Sequence, residues 1–481
     1  MNLSNTPGKA TSPFAPISFE ADAAFLPVIG QLPEGLQGTL LRNGPNPQFP
    51  RERQHLFTGD GMLHAFCLAG GRASYRNRWV RTSGWQAERR AGRSLFDATG
   101  RPVDPHDPAL PAVDDGAANT HVIEHAGRLL ALEEAHLPIE IDPATLATRG
   151  ACDFGGRLQG PFTAHPKTDP ATGELLFFGY SASGPFTPDI RFGTLDAQGR
   201  VTRHEMLRAP FCSMVHDFAV TEHHILFPVL PLTGSMERAQ RGMPPWAWEP
   251  ELGSRVGILP RNAPASDIRW FEGEACYVFH VMNAWEERDA RGHRILRADV
   301  MRFDQAPLFP YADGRPTDRE RSVARLARWS FDLDGNSNRF TEEPLDDLAG
   351  EFPRMDDRFA GRAYRHGWYA CQREAVMGAG YEGIAHHDAV RGRVATWHVP
   401  PGDRLSEPVF VPRAADAPEG EGWLLAVVQR TQEGRSDLLV LDAQDLPHGP
   451  VATVQLSHRV PAGFHGSWLA GNTLDLSSGG A

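Results

Sequence analysis

The chain has 481 residues, a formal net charge of −12 and 41% apolar residues, with 48 glycines and 40 prolines. An acidic balance of this size argues against a nucleic-acid partner, which rewards clustered cations. The lysines are Lys9 and Lys167 alone, so Schiff-base chemistry has almost no candidate.

From the N-terminus, residues 1–17 show no apolar core of signal-peptide length, and residues 1–20 are expected to form a flexible arm. Nowhere does an apolar run approach the ~20 residues of a spanning helix. Five cysteines, Cys67, Cys152, Cys212, Cys276 and Cys371, are odd in number and show no CxxC spacing. They read as small buried residues in a reducing compartment, and the expected location is cytoplasmic. Arg76, Arg78 and Arg81 recur as the solvated or salt-bridged face of a strand.

Helix periodicity is scarce beyond this point, and short apolar strands recur instead. Leu129–Leu132 is followed by a second strand, Ile139–Asp142. Equivalent strands start at Leu175, Ile225 and Tyr277, at steps of 46, 50 and 52 residues. Another pair, Trp423–Val428 and Leu438–Asp442, lies near the C-terminus. A four-stranded repeat of ~40–50 residues is the unit of a β-propeller blade, and this length accommodates about seven. The expected fold is all-β, one seven-bladed propeller domain over 1–481, with an array of β-sandwiches as the alternative. Residues 280–368 fit the period poorly and are expected to carry inserted loops, such as Pro310 to Arg319. The run Pro244-Pro245-Trp246-Ala247-Trp248 reads as an aromatic loop that walls a substrate tunnel, membrane contact being the other reading.

Four histidines sit in apolar, strand-like contexts: His165 in TAHPKTD, His216 in CSMVHDFAV, His280 in CYVFHVMNAW and His465 in AGFHGSW. They are 51, 64 and 185 residues apart, so no helical HExxH arrangement applies. The innermost strands of a propeller all line one axis, which gives distant histidines a place to meet. Each alone reads equally as a hydrogen-bonded core histidine, and the chain has 20 histidines in all. Together they suit Fe, Zn, Cu or Ni. Such ligands need acceptors for their second ring N–H. Glu134, Glu351 and Glu407 lie in otherwise apolar segments and are candidates for that task, or else loop glutamates exposed to solvent.

Through these residues the chain resembles the carotenoid cleavage oxygenase family over nearly its whole length. The motifs are GTLLRNGPNPQF (38–49), HLFTGDGMLHAF (55–66), NTHVIEHAGRLLALEE (119–134), AHPKTD (164–169), HDF (216–218), VFHVMNAWE (278–286), EFPRMD (351–356), EPVFVPR (407–413) and FHGSW (464–468). The resemblance implies a seven-bladed propeller whose loops and short helices form a dome over one axial Fe(II). It makes His165, His216, His280 and His465 the ligands, and Glu134, Glu351 and Glu407 the acceptors behind three of them. It also implies that Thr120 partly blocks an open coordination position and that Phe57 lines the pocket, a role in the core being the other reading of Phe57. The implied reaction joins O2 to a conjugated or styrenic C=C bond of a hydrophobic alkene and yields two carbonyl products. Neither a GxGxxG nor a P-loop for another cofactor is found.

Within the family, AWEPELGSRVGILPR (247–261) and RNRWVRT (76–82) look most like the lignostilbene and isoeugenol-cleaving branch. That branch anchors a substrate 4-hydroxyl with a Tyr–Lys pair. Here Glu133 stands at the Lys position, and SLFDAT places Thr99 or a neighbour at the Tyr position. A carboxylate repels the phenolate that a lysine stabilises, so a buried Glu133 calls for a cationic partner or a neutral donor; turning to solvent or pairing with an arginine is the alternative. Both phenol anchors are thus missing, and a 4-hydroxystilbene bound in the branch's usual manner is not expected; the branch likeness implies an aryl-conjugated alkene as the substrate class. Apocarotenoid cleavage and an O2-independent isomerisation are the alternatives, and a propeller that only binds metal or partners is a third.

Overall fold

The computed structural model describes residues 12–52 and 54–471. They fall into two compact units, Met1–Phe162 with Trp397–Ala481, and Thr163–Thr396.

Among the described residues the first unit holds three antiparallel sheets. One runs Ala21–Ala23, Arg72–Trp79, Gly61–Ala69, Gly38–Pro45 and Gly466–Ala470, so a C-terminal strand closes the sheet begun at the N-terminus. The second is the meander His121–His125, Arg128–Leu132, Ile139–Ile141, Thr148–Ala151. The third joins Val28–Gly30 to Pro450–Gln455, Arg435–Asp442 and Gly422–Arg430. Strand Arg72–Trp79 shows how the sequence specifies these elements. Ala73, Tyr75, Asn77 and Trp79 point inward at period 2, while the residues between them are less buried. The arginine face is ion-paired as expected: Arg76 and Arg78 reach Asp22 at 2.6 and 2.7 Å, and Arg81 reaches Glu20 at 3.0 Å.

The second unit holds four meanders. They start at Lys167–Thr168, Ala219–Val220, Tyr277–Arg288 and Gly350–Met355. Its core includes a tight aromatic group in which Phe178 meets Phe218 at 4.8 Å and Phe192 meets Phe227 at 5.5 Å between ring centroids. Offset and edge contacts of this kind add to the burial of each ring. These four meanders and the three sheets of the first unit are seven blades, and the chain is a seven-bladed β-propeller, in agreement with the repeat in the sequence. The irregular stretch after His280 is explained by one blade, Tyr277 to Pro344, whose second and third strands are separated by residues 304–323. Among the described residues two α-helices are present, Ser83–Ala91 and Met236–Gln240. The first is capped by Thr82 and stopped by Gly92 in the left-handed region at φ 67°.

Two expectations change. Residues 1–11 of the proposed arm lie outside the described residues, and residues 12–20 do not behave as an arm. Ala15 and Ile17 are buried, and Ile17 exchanges two hydrogen bonds with the Asn46 side chain at 2.8 and 2.9 Å. The tryptophan run is not a loop: Trp246–Trp248 is a strand paired with Leu232–Gly234, and Trp248 is fully buried.

Candidate metal centre

His165, His216 and His280 stand on consecutive meanders of the second unit, and all three are buried. His165 precedes the strand Lys167–Thr168, and its backbone N–H donates to Thr163 Oγ1 at 2.9 Å. His216 precedes the strand Ala219–Val220. His280 lies inside the strand Tyr277–Arg288, at a register shift between Val278 and Val281. A bulge of this kind re-aims one side chain without ending the strand. The three ring centroids are 4.7, 5.0 and 5.2 Å apart.

Glu351 holds the outer nitrogen of His280. His280 Nδ1 is 2.5 Å from Glu351 Oε2, which also accepts the Phe352 backbone N–H. Glu351 sits at a second register shift, between Glu351 and Arg354, with Phe352 in the left-handed region at φ 58°. That turn lays the Phe352 ring against His280 at 5.5 Å and 28°. The acceptor on Nδ1 fixes the tautomer and leaves Nε2 with a lone pair.

The first unit contributes His465 in an equivalent setting. His465 Nδ1 is 2.9 Å from Glu407 Oε1. Glu407 Oε2 accepts the Gly466 N–H at 2.8 Å and Arg42 Nη1 at 3.2 Å. Arg42 also donates to the Phe464 carbonyl at 2.9 Å. The His465 N–H donates to the Thr120 carbonyl at 3.1 Å, and the Thr120 hydroxyl donates to Asn119 Oδ1 at 3.0 Å. Phe57 packs on Phe464, the neighbour of His465, with ring centroids 5.8 Å apart. Thr120 and Phe57 are thus both brought to the His465 segment.

One ring nitrogen from each of His165, His216, His280 and His465 lies within 4.8 Å of the others. The His165 and His216 Nε2 atoms are 3.1 Å apart. Two ligands at right angles on an ion, each about 2.1 Å from it, lie about 3 Å apart, so the donor set fits a transition-metal ion. Neutral imidazoles without a thiolate suit iron as well as zinc, copper or nickel.

The remaining candidates are less central. Glu134 is partly buried just beyond the strand Arg128–Leu132. Glu133 neither turns to solvent nor pairs with an arginine: it forms an ion pair with His136, which also faces Asp114 at 3.5 Å. Burial by itself would lower the His136 pKa, but the carboxylates of Asp114 and Glu133 outweigh it and raise it to about 10. Thr99 lies apart from the histidines in sequence and in its hydrogen bonding. It is exposed in a turn, and its hydroxyl is spent on Asp97 Oδ1 at 2.7 Å. Sequence reasoning missed Arg42, Asp217 and His136. The first two lie inside quoted motifs, one directly after a histidine candidate, but nothing in their spacing says what they hold.

Comparison with known proteins agrees with this geometry. Residues 14–470 match the family described as "Retinal pigment epithelial membrane protein". The isoeugenol monooxygenase of Pseudomonas nitroreducens is 40% identical, over 94% of this chain and 96% of its own length. The lignostilbene-alpha,beta-dioxygenase isozyme III of Sphingomonas paucimobilis is 35% identical, over 97% of this chain and 98% of its own. Among solved structures, the lignostilbene dioxygenase of Pseudomonas brassicacearum superposes with a TM-score of 0.90 at 36% identity, covering 97% of this chain and all of that one.

Proposed function

The chain belongs to the carotenoid oxygenase family, and from that premise we propose that it is an Fe(II) dioxygenase that cleaves the C=C bond of an aryl-conjugated alkene with O2. The observation that carries this reading is the convergence of four buried imidazole nitrogens within 4.8 Å. His165, His216, His280 and His465 would hold one iron per chain. When bound, iron supplies the redox centre that activates O2 for reaction with the double bond.

The chain's own residues do the rest. Glu351 and Glu407 keep the ring protons of His280 and His465 on Nδ1, so each ring presents a lone pair. Glu134 has the same task behind a third imidazole. Thr120 restricts one approach to the centre, and Phe57 supplies apolar pocket wall. Glu133 enters the site charge-balanced by His136, so a neutral phenol or aryl ether is not repelled there. In the balanced reaction one C=C bond and one O2 become two carbonyl groups, with no external reductant. The five cysteines form no disulfide with one another among the described residues, which supports a cytoplasmic location. Among the described residues no helix is long and apolar enough to cross a membrane.

The test is an aerobic and anaerobic assay of iron-loaded protein over stilbenoids, phenylpropenes and apocarotenals. Aldehydes should form from the aryl alkenes with one O2 consumed per bond cleaved. Product without O2, or turnover of apocarotenals alone, overturns the reading.

A further inference from the structure

We propose that Asp217 is the positioning residue that locks three of the four histidine-bearing segments to one another. This rests on the reading that His165, His216 and His280 hold the metal.

Asp217 directly follows His216, and its side chain is almost fully buried. A carboxylate so placed is costly unless every lone pair finds a donor. Its donors come from three places. Oδ1 accepts its neighbour's backbone N–H, from Phe218 at 2.7 Å. Oδ1 also meets Lys167 Nζ at 2.7 Å, two residues beyond His165. Oδ2 accepts the backbone N–H of Val281 at 2.9 Å, one residue beyond His280. One carboxylate thus ties the His165, His216 and His280 segments, whose rings stand 4.7 to 5.2 Å apart.

Two features point to positioning rather than general stability. Val281 lies in the irregular part of its strand, with register shifts on both sides. A bulge leaves backbone groups out of the regular ladder, and Asp217 takes the Val281 N–H. The orientation of His280 is therefore set by Glu351 on its ring and by Asp217 on its backbone. The second feature is the cation. Apart from Lys9, every other basic residue of the chain is an arginine, yet a lysine stands here. A compact ammonium fits between Asp217 and the Phe218 ring, 6.0 Å from the ring centroid, where a planar guanidinium fork has a different shape and reach.

The experiment compares wild type, Asp217→Asn and Asp437→Asn. Asp437 is equally buried and paired with Arg430 and Arg435, in a strand that carries no candidate ligand. Three quantities are read: iron affinity by chelator competition, the ligand-field bands of the cobalt-loaded protein, and the thermal midpoint of the metal-free protein. Asp217→Asn should weaken iron binding roughly 10- to 100-fold and shift the cobalt bands. Asp437→Asn should lower the midpoint at least as much and leave affinity and bands unchanged. Unchanged affinity and bands in Asp217→Asn, or equal loss in both variants, overturns the assignment. If Asp217→Asn does not fold, Lys167→Met is read against the same criteria, because the ammonium is more exposed. A wild-type protein that binds no stoichiometric iron overturns the metal reading itself, an outcome distinct from the first.

Discussion

His280 Nδ1 and Glu351 Oε2 are 2.5 Å apart, and the same oxygen accepts the N–H of Phe352. The contact holds an imidazole in one tautomer from a residue 71 positions away. Glu351→Gln keeps the shape and one acceptor but loses the charge that makes the bond strong. Iron affinity of this variant is expected to fall roughly 10- to 100-fold, a typical cost for a partner behind a ligand. Chelator competition at constant pH measures it, and an unaltered affinity would show that Glu351 is not behind a ligand.

Arg42 and Glu407 form a buried ion pair, with side chains only 4% and 2% exposed. Removing one partner of such a pair strands the other charge away from water. Arg42→Met is therefore expected to destabilise the metal-free protein by about 3–5 kcal/mol. Denaturant unfolding checks this. Because Glu407 also holds His465, the variant should lose iron affinity as well, whereas a purely structural pair would leave affinity intact in the folded fraction.

Glu133 and His136 give a pH dependence with a defined sign. The His136 pKa rises from 6.5 to about 10 in the folded protein. Its contribution to stability is thus fully present below pH 6.5 and is lost as the pH rises through 10. Glu133 is the stronger partner on physical grounds, being 14% exposed while Asp114 is 84% exposed and screened by solvent. The wild-type thermal midpoint should fall between pH 7 and 10 more steeply than that of His136→Gln, as followed by circular dichroism. Glu133→Lys removes the carboxylate and sets an ammonium beside the ring, so the midpoint is expected to fall at pH 7 and the slope between pH 7 and 10 to flatten.

These residues also mark where the sequence was legible. The four histidines stood out because apolar flanks predict burial, and a 46- to 52-residue strand spacing predicts blades that bring distant strands together. Glu351 and Glu407 stood out for the same reason, since an acid in an apolar segment needs a donor. The partner of Glu133 was not legible, because an i,i+3 carboxylate–histidine pair beyond a strand end forms only when the local turn closes. The setting of Thr99 was not legible either, because a turn built on Asp97 turns its hydroxyl back on the chain. Asp217 was invisible because its value lies in backbone N–H groups, which carry no residue identity.

Phe352 separates the two jobs of the bend beside Glu351. It is held at φ 58°, where a side chain costs roughly 1–2 kcal/mol, and its ring lies on His280. Phe352→Ala keeps the strained backbone and loses the ring, whereas Phe352→Gly loses the ring and relieves the strain. The glycine variant should therefore be about 1 kcal/mol more stable than the alanine variant when metal-free. Both should show the same cobalt ligand-field bands if the ring only packs, and bands shifted alike from wild type if the ring steers the imidazole. Greater stability of the alanine variant would mean that the bend relaxes once the ring is gone, and that the ring rather than the bend places Glu351.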